Sequence, residues 1–410
     1  MNKKHDLLSR FAWTCFLLLI VLVGQQILIP GIDPLTAGRS LDQVNFLQFI
    51  SMTTGGQTAV PSLLTLGMRP YMTMMIIWQV ITALDLDVVK QLSQRRVGII
   101  QRFLTLFFSL IQGFEMIYFI RDAFDSNDPW QIGINLNVAI AWIVLVGGAM
   151  FMTWLGDLNA VHGIGGTIAL IIPGIIASIP TGLSSGVGSA ITTSYSLTTQ
   201  HIIIAVLIGL LFIIVMYYLY QGELHLHVER PLTPSVYASS YFPMRFLTAG
   251  AMPFMFSSSL FSVPRLLVNQ TVGPTDAFQR WVATWFSFQT WQGILMYGIL
   301  IVLLGYAFGY LNVQPTNVAK EMKENGEYFL NVMPGDPTEM FLSGHFGRLS
   351  LLGNLILALI GVGPLIVGLY IPGAANFSVL FSSLFILITL TDTIIQQVRA
   401  LRTKDRYSVF

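Results

Sequence analysis

The candidate functional side chains of this chain are a few ionisable residues inside long apolar stretches. Arg69, Glu115, Asp157 and Asp392 each lie within or at the end of an apolar run. A charge at the centre of a membrane helix costs about 2.5–3.5 kcal/mol on insertion scales and generally faces a bundle interior or a wet cavity. Arg69 is therefore predicted to face a cavity, in preference to the alternative that its side chain snorkels to the interface. Asp157 and Asp392 are interpreted as interfacial groups in contact with water, and Glu115 as either an interfacial group or a buried polar contact.

Sequence motifs for catalysis or metal binding are absent or lack support. The chain has no GxxxxGK[ST] loop, no HExxH and no CxxC pair. Residues 182–186 spell G-x-S-x-G, but that motif acts at a strand-to-helix turn, and a flexible linker is favoured here. His225 and His227 could bracket a metal, yet solvated loop histidines are favoured because no Cys or third His is close in sequence. We predict that the protein is not an enzyme and needs no cofactor or metal.

The composition indicates a protein that crosses the membrane many times. Of its 410 residues, 54% are hydrophobic and only 10% are charged, and the mean hydropathy is +0.69. A helix needs about 20 apolar residues to cross a bilayer. The single Cys15 lies in the first apolar run, which we interpret as a retained helix and not a signal peptide. The predicted spans are 11–29, 63–84, 99–120, 138–156, 164–181, 200–220, 249–268, 291–311, 350–370 and 377–397.

One stretch, residues 46–80, departs from an ordinary span. It breaks at Gly55 and Gly56, restarts after Pro61 and carries Arg69 within its apolar run. Broken backbone at membrane depth is tolerated where protein encloses it or where it lines a water-filled cavity. The stretch therefore predicts a pathway through the membrane.

The distribution of Lys and Arg predicts the orientation of the chain. With ten spans, sixteen of these residues fall on the side that holds both termini and four on the other side. Basic residues concentrate in cytoplasmic loops, so both termini are predicted to be cytoplasmic. The two largest cytoplasmic connections, 221–248 and 312–349, are also the most polar, and we predict that they form a docking surface.

The ten spans divide into two groups of five. An odd number of spans in each group gives the two groups opposite topology, as in the inverted repeats of many transport proteins. The predicted domains are an N-terminal half at 1–185, an outer hinge at 186–199, a C-terminal half at 200–398 and a cytoplasmic tail at 399–410.

Short motifs along almost the whole chain resemble those of one family. They are GID at 31–33, GG at 55–56, LGMRPY at 66–71, RR at 95–96, LIQG at 110–113, MTWLGD at 152–157, GIG at 163–165, AGAMP at 249–253, SSS at 257–259, PGDPT at 334–338 and RL at 348–349. Their order, the ten spans and the topology are similar to SecY, the channel subunit of bacterial protein translocation.

The resemblance implies a fold, a pore and a plug. The fold is an all-α polytopic membrane protein with ten transmembrane helices in two inverted five-helix halves. A half-inserted plug at about 41–60 would include Phe46, Phe49, Ile50, Gly55 and Gly56. A ring of side chains at the waist of the pore would comprise Met72, Ile76, Thr167, Ile171, Met255 and Phe385, of which Thr167 and Phe385 depart from the aliphatic pattern. Ordinary packing is the alternative interpretation for all six.

The resemblance also implies a lateral gate that opens towards lipid. Gln79 and Gln112 match the polar gate positions of the family, whereas Leu247 and Thr248 stand where Asn is expected. A less polar gate is expected to stay closed more stably and to change which signal sequences open it.

The docking loops depart further from the family. They place Arg230, Arg245, Met333 and Arg348 at positions that would contact a motor, and Met333 replaces an expected Arg. Because phosphate affinity rises with the number of Lys and Arg contacts, weak or no ribosome binding is predicted. The chain therefore most resembles the accessory SecY of Gram-positive bacteria.

This resemblance implies a set of partners. They are an accessory SecA-type ATPase, a SecE-like small membrane subunit, other accessory Sec proteins and an unfolded preprotein with a signal sequence, such as a serine-rich glycosylated adhesin. The alternatives are a housekeeping SecY for general secretion and an ion-coupled secondary transporter.

Overall fold

A computed structural model describes residues 3–30, 32, 61–83, 92–120, 124, 131–132, 134–185, 199–230, 240–262, 264, 276–371 and 374–407. The predicted plug at 41–60, with Phe46, Phe49, Ile50, Gly55 and Gly56, lies outside the described residues, as do residues 186–198 of the predicted hinge.

Each predicted span contains a helix. The ten are α1 Lys3–Gly24, α2 Arg69–Ala83, α3 Gln94–Ile120, α4 Leu136–His162, a 3-10 segment Gly166–Ile171 continued by α5 Ile172–Ser185, α6 Thr199–Gln221, α7 Met252–Ser262, α9 Trp291–Val313, α11 Asp336–Gly368 and α12 Asn376–Tyr407. Two further helices, α8 Ala277–Trp285 and α10 Pro315–Asn325, lie between spans. Among the described residues, six helical stretches are long and apolar enough to cross a membrane.

Glycines in the left-handed region mark where three of the shorter span helices begin. Gly67 (φ 52°) precedes α2, Gly165 (φ 81°) and Gly166 (φ 55°) open the 3-10 segment, and Gly250 (φ 58°) precedes α7. Only glycine adopts this backbone conformation without a steric penalty. The chain therefore turns within the predicted span at these points, and the helix that follows is shorter than the apolar run.

The chain forms two compact units. Unit 1 comprises Met1–Tyr195 and Thr389–Phe410, and unit 2 comprises Ser196–Ile388. Helix α12 thus belongs to unit 2 up to Ile388 and to unit 1 from Thr389 onward. The predicted domain bounds at 185, 199 and 398 stay a prediction.

Unit 1 has a buried apolar cluster on α3 and α4 that also holds Leu66, just before α2, and Ile29. The segment before α2 lies directly against α4, because a Cβ at Gly148 would lie 1.9 Å from the carbonyl oxygen of Leu63. In unit 1 a short antiparallel pair, β1 Gln131–Ile132 and β2 Ile134–Asn135, leads into α4.

A buried polar cluster in unit 1 is built around Asn159, near the end of α4. The Thr14 hydroxyl donates to its Oδ1 at 2.9 Å, and its Nδ2 donates to the carbonyl oxygens of Ile164 at 3.1 Å and Gly166 at 2.6 Å. The Gly165 N–H donates to Oε1 of Gln397 at 2.6 Å. One side chain thus connects α1, α4 and the turn before the 3-10 segment, and that turn is hydrogen-bonded to α12.

Unit 2 packs α9 closely along α11. A Cβ at Gly305 would lie 2.4 Å from Oδ1 of Asn354, and one at Gly309 would lie 2.7 Å from the Thr248 hydroxyl and 3.1 Å from Phe346. Small residues four apart allow two helices to approach closely in a membrane. The Gly305–Gly309 spacing therefore serves packing inside this unit.

A three-stranded antiparallel sheet in unit 2 is an addition to the predicted helical fold. The strands β3 Glu223–Glu229, β4 Ser240–Arg245 and β5 Tyr328–Phe329 have the order β4-β3-β5. Leu226 and Val228 are buried whereas His225 and His227 are exposed, the alternation of a strand with one covered face. Since β5 belongs to the second predicted loop, pairing with β3 joins 221–248 to 312–349.

Candidate functional site

Unit 1 carries four of the six predicted pore-ring residues. Met72 and Ile76 lie one turn apart on α2, and Thr167 and Ile171 lie on the 3-10 segment. Met72 and Ile171 are buried. Thr167 shares a side-chain hydrogen bond with Tyr71 of α2, so its hydroxyl has a partner inside the unit. This bond connects the two elements that carry the four residues.

Unit 2 carries Met255 on α7 and Phe385 on α12, and both are buried. The Phe385 ring packs edge-on against Phe254, with centroids 5.7 Å apart, and against Tyr220 at 6.1 Å. These contacts make Phe385 part of an aromatic cluster within the unit, which accounts for an aromatic residue where an aliphatic one is typical. The assembly of all six residues into one ring stays a prediction.

The predicted gate residues have different surroundings. Gln79 on α2 is half-buried, and Nε2 of Gln112 on α3 donates to the Thr73 hydroxyl of α2 at 3.1 Å. In unit 2, Leu247 is buried, and its Cδ2 lies 3.3 Å from the position of a Cβ at Gly353. Nδ2 of Asn312 donates to the Thr248 carbonyl oxygen at 2.9 Å. Leu247 and Thr248 therefore pack against α11 and α9, and their gate role stays a prediction.

The two arginines of the first docking loop are engaged inside unit 2. Nε of Arg230 lies 2.9 Å from Oε1 of Glu327, and Nε of Arg245 lies 3.5 Å from Oε1 of Glu223. Together the loops 221–248 and 312–349 carry five basic and seven acidic residues. This surface therefore has a net negative charge, and two of its five cations are already paired.

The other predicted docking residues are accessible. Met333 is 77% exposed, and Arg348 on α11 is also exposed. Their role in docking a motor stays a prediction.

The acidic residues in and beside the spans have different surroundings. Glu115 interacts electrostatically with Arg69, which favours the buried polar contact over the interfacial one. Asp157 forms an exposed 3.0 Å ion pair with Arg102, in agreement with an interfacial position. The interpretation of Asp392 was wrong: it is only 3% exposed and accepts a hydrogen bond from Gln396.

The two loop histidines project from the exposed face of β3. Nε2 of His225 lies 3.9 Å from Oε2 of Glu223, and Nε2 of His227 lies 3.5 Å from Oε1 of Glu229. The His225 ring also stacks on Tyr241 at 3.9 Å. In the part of the chain that the structure describes, no group of three or more His, Cys, Asp or Glu residues could hold a metal ion.

Comparison with known proteins identifies a family. The SecY family model matches residues 62–395. The accessory Sec system protein translocase subunit SecY2 of Leuconostoc gelidum subsp. gasicomitatum is 29% identical over 416 residues, which span 100% of this chain and 98% of that protein. The protein translocase subunit SecY of Mycoplasma capricolum is 27% identical, over 97% of this chain and 88% of its own.

Solved structures share the fold. One described as a protein-conducting channel has a TM-score of 0.61 at 16% identity, covering 97% of this chain and 94% of its own. Another, described as showing that the SecY plug domain stabilises the closed channel, has a TM-score of 0.60 at 16% identity over 97% of this chain and 93% of its own. At this identity the likeness shows the fold alone, and it confirms the predicted ten-helix architecture.

Proposed function

The chain belongs to the SecY family of multi-pass membrane channels for protein translocation, which are not enzymes, and we propose that this member serves an accessory Sec system. Its substrates would be unfolded preproteins with signal sequences, such as serine-rich glycosylated adhesins. A SecA-type ATPase would drive export after translation, together with a SecE-like small subunit and other accessory Sec proteins.

The charge of the docking loops is the observation that carries this proposal. A surface with seven acidic and five basic residues, two of the latter already in ion pairs, offers few contacts for the phosphates of ribosomal RNA. Nucleic-acid affinity rises with the number of phosphates that Lys and Arg neutralise. Weak ribosome binding fits a channel whose substrates arrive after synthesis, and relatives named for the accessory system match 97–100% of the chain.

The channel would work by passive conduction. Apolar constrictions resist wetting and so block ions and water, and the flexible Met72 and Met255 side chains can move aside for a passing chain. A signal sequence would part the gate helices and the plug would leave the pore. The waist would then seal around the moving polypeptide. Both termini would be cytoplasmic, where the motor acts, as the sixteen-to-four distribution of basic residues indicates.

The housekeeping alternative has one observation in its favour. Relatives described simply as protein translocase subunit SecY are 27% identical over nearly the full chain, close to the values for the accessory relatives. For the secondary-transporter alternative the candidate carboxylate is Glu115, which interacts electrostatically with Arg69, as a structural residue would.

The proposal is tested with a stalled secretory chain in proteoliposomes. The purified chain is reconstituted with its small subunit and the accessory ATPase, in a Cys15→Ser background that carries Met72→Cys or Met255→Cys. A stalled preprotein with a thiol-reactive group is expected to crosslink at both positions. Leu359→Cys, 70% exposed on α11, is the control and should stay unlabelled. Labelling of Leu359→Cys alone would contradict a protein-conducting pore.

Ribosome binding separates the accessory from the housekeeping function. Detergent-solubilised chain is sedimented with non-translating ribosomes beside a housekeeping SecY. We expect less of this chain in the pellet at equal salt. Equal binding would remove the support for the accessory assignment.

A further inference from the structure

We infer that Glu115 is a positioning residue: it pairs with Arg69 inside the membrane and holds α2 against α3, so that the two helices move as one body when the channel opens. The structural part of this inference concerns unit 1 alone. The part about channel opening rests on the proposed function.

A hydrogen bond places the two residues opposite each other. Nε2 of Gln112 on α3 donates to the Thr73 hydroxyl on α2 at 3.1 Å, and that hydroxyl also donates to the Arg69 carbonyl oxygen at 3.0 Å. Arg69 lies one turn before Thr73, and Glu115 lies one turn after Gln112. Consecutive membrane-spanning helices run antiparallel, so one turn back along α2 and one turn forward along α3 lead in the same direction. Arg69 and Glu115 therefore lie on the same α2–α3 contact, about 5 Å from the Thr73–Gln112 hydrogen bond.

The environment of the pair makes each charge depend on the other. Both side chains are half-buried, and Glu115 acts electrostatically on Arg69. A buried ion pair that loses one partner leaves an uncompensated charge, which is far more destabilising than the absence of both. The pair therefore stabilises the helix contact, because separating α2 from α3 would leave each charge without its partner.

Apolar packing closes the seam beyond the charge pair. Met116 and Ile117 of α3 and Leu66, three residues before Arg69, belong to the same buried cluster. The Thr73–Gln112 hydrogen bond flanks the pair on one side and this cluster on the other. The hydrogen bond, the charge pair and the apolar cluster follow one another along the α2–α3 contact. This contact is therefore expected to persist when the channel opens and other helix contacts change.

A crosslink across the seam tests whether the helices move together. In a Cys15→Ser background, Thr73→Cys and Gln112→Cys are joined by a short bifunctional thiol reagent, and transport into proteoliposomes is compared before and after crosslinking. We expect the rate to change by less than about twofold, because the crosslink imposes a contact that already persists. A crosslinked channel that loses transport while the untreated variant keeps it would overturn the inference. If neither form transports, the parent Cys15→Ser chain shows the cause: no transport by the parent means that the proposed function has failed, and transport by the parent means that the two substitutions themselves disturb the gate. The next experiment then decides the structural part.

A charge cycle tests the pair without any transport assay. Arg69→Met and Glu115→Gln are expected to lower the melting temperature in detergent by about 5–10 °C each, whereas the double variant and the swap Arg69→Glu with Glu115→Arg recover at least half of that loss. The exposed Arg102–Asp157 ion pair is the control. Arg102→Met should lower the melting temperature by less than about 3 °C. A double variant no more stable than the weaker single variant would refute the pairing.

Discussion

The Arg245 guanidinium lies over the Tyr220 ring, 5.2 Å from its centroid, and Nη1 donates a 3.1 Å hydrogen bond to the Tyr220 hydroxyl. Arg245 ends β4 and Tyr220 stands near the end of α6, so this contact fastens the sheet to a membrane helix. Arg245 lies in the predicted docking loop, and this contact engages its guanidinium within the protein.

Removing the Tyr220 hydroxyl tests that connection. Tyr220→Phe keeps the ring, and with it the edge contact to Phe385, but deprives Arg245 of an acceptor. We expect a loss of about 1 kcal/mol in stability, seen as a melting temperature lower by about 2–4 °C. Tyr218→Phe, at a position 73% exposed on the same helix, is the control. Equal shifts in the two variants would show that the hydrogen bond contributes nothing.

Restoring a cation at the docking surface tests the basis of weak ribosome binding. Met333→Arg places a basic residue on an accessible position where the resemblance to the family predicts one. We expect tighter binding to ribosomes and a salt slope steeper by about 1, as one added phosphate contact predicts. Met333→Gln, polar but uncharged, separates charge from the loss of an apolar contact. Equal gains in both variants would mean that phosphate contact is not the cause.

The buried amide of Asn159 should be among the least replaceable side chains in unit 1. Asn159→Ala removes one acceptor and two donor contacts, so Thr14 and two backbone carbonyls lose a partner. The expected loss is about 1–3 kcal/mol, because buried polar groups left unpaired carry their full desolvation penalty. Chemical denaturation in detergent measures it. Asn317→Ala, where Nδ2 donates to Gln314 at an exposed site, should change stability by less than 0.5 kcal/mol, roughly the range of surface substitutions.

The close approach of α9 and α11 predicts opposite results at two glycines. Gly305→Ala would place a methyl group on the Asn354 amide, and overpacking of this kind costs about 1–3 kcal/mol. Gly363→Ala, where a Cβ meets nothing within 4 Å, should be neutral or stabilising, since alanine is the better helix former. Thermal unfolding of the two variants side by side provides the comparison. A Gly305→Ala protein as stable as wild type would argue that the helices can separate freely.

Hydropathy located the ten spans well, because the thickness of a bilayer demands long apolar runs wherever a helix crosses it. The lengths of the individual helices were less predictable. Gly67 and Gly250 turn the backbone inside apolar runs that a window average treats as continuous. The burial of Asp392 was missed for a related reason, because position along a span does not reveal which face of the helix is covered.

Other features needed the folded chain. The alternation in β3, with His225 and His227 between Leu224, Leu226 and Val228, is a strand signal that was available in the sequence, but the two histidines were interpreted as solvated loop residues. Thr14 and Asn159 are hydrogen-bonded although 145 residues separate them in the sequence, and no local sequence pattern predicts this contact. The burial of Leu247 and Phe385 likewise depends on neighbours that the chain supplies from distant helices.

The pairing of β3 with β5 has a consequence for chimeric proteins. Val228 faces Phe329 and Glu229 faces Tyr328 across the ladder, while Arg230 pairs with Glu327. A graft of one loop alone from a housekeeping relative would replace one residue of each of these pairs and leave the other residue without its partner. An exchange of motor or ribosome preference between such channels must therefore transfer both 221–248 and 312–349 together, because the two segments form one sheet.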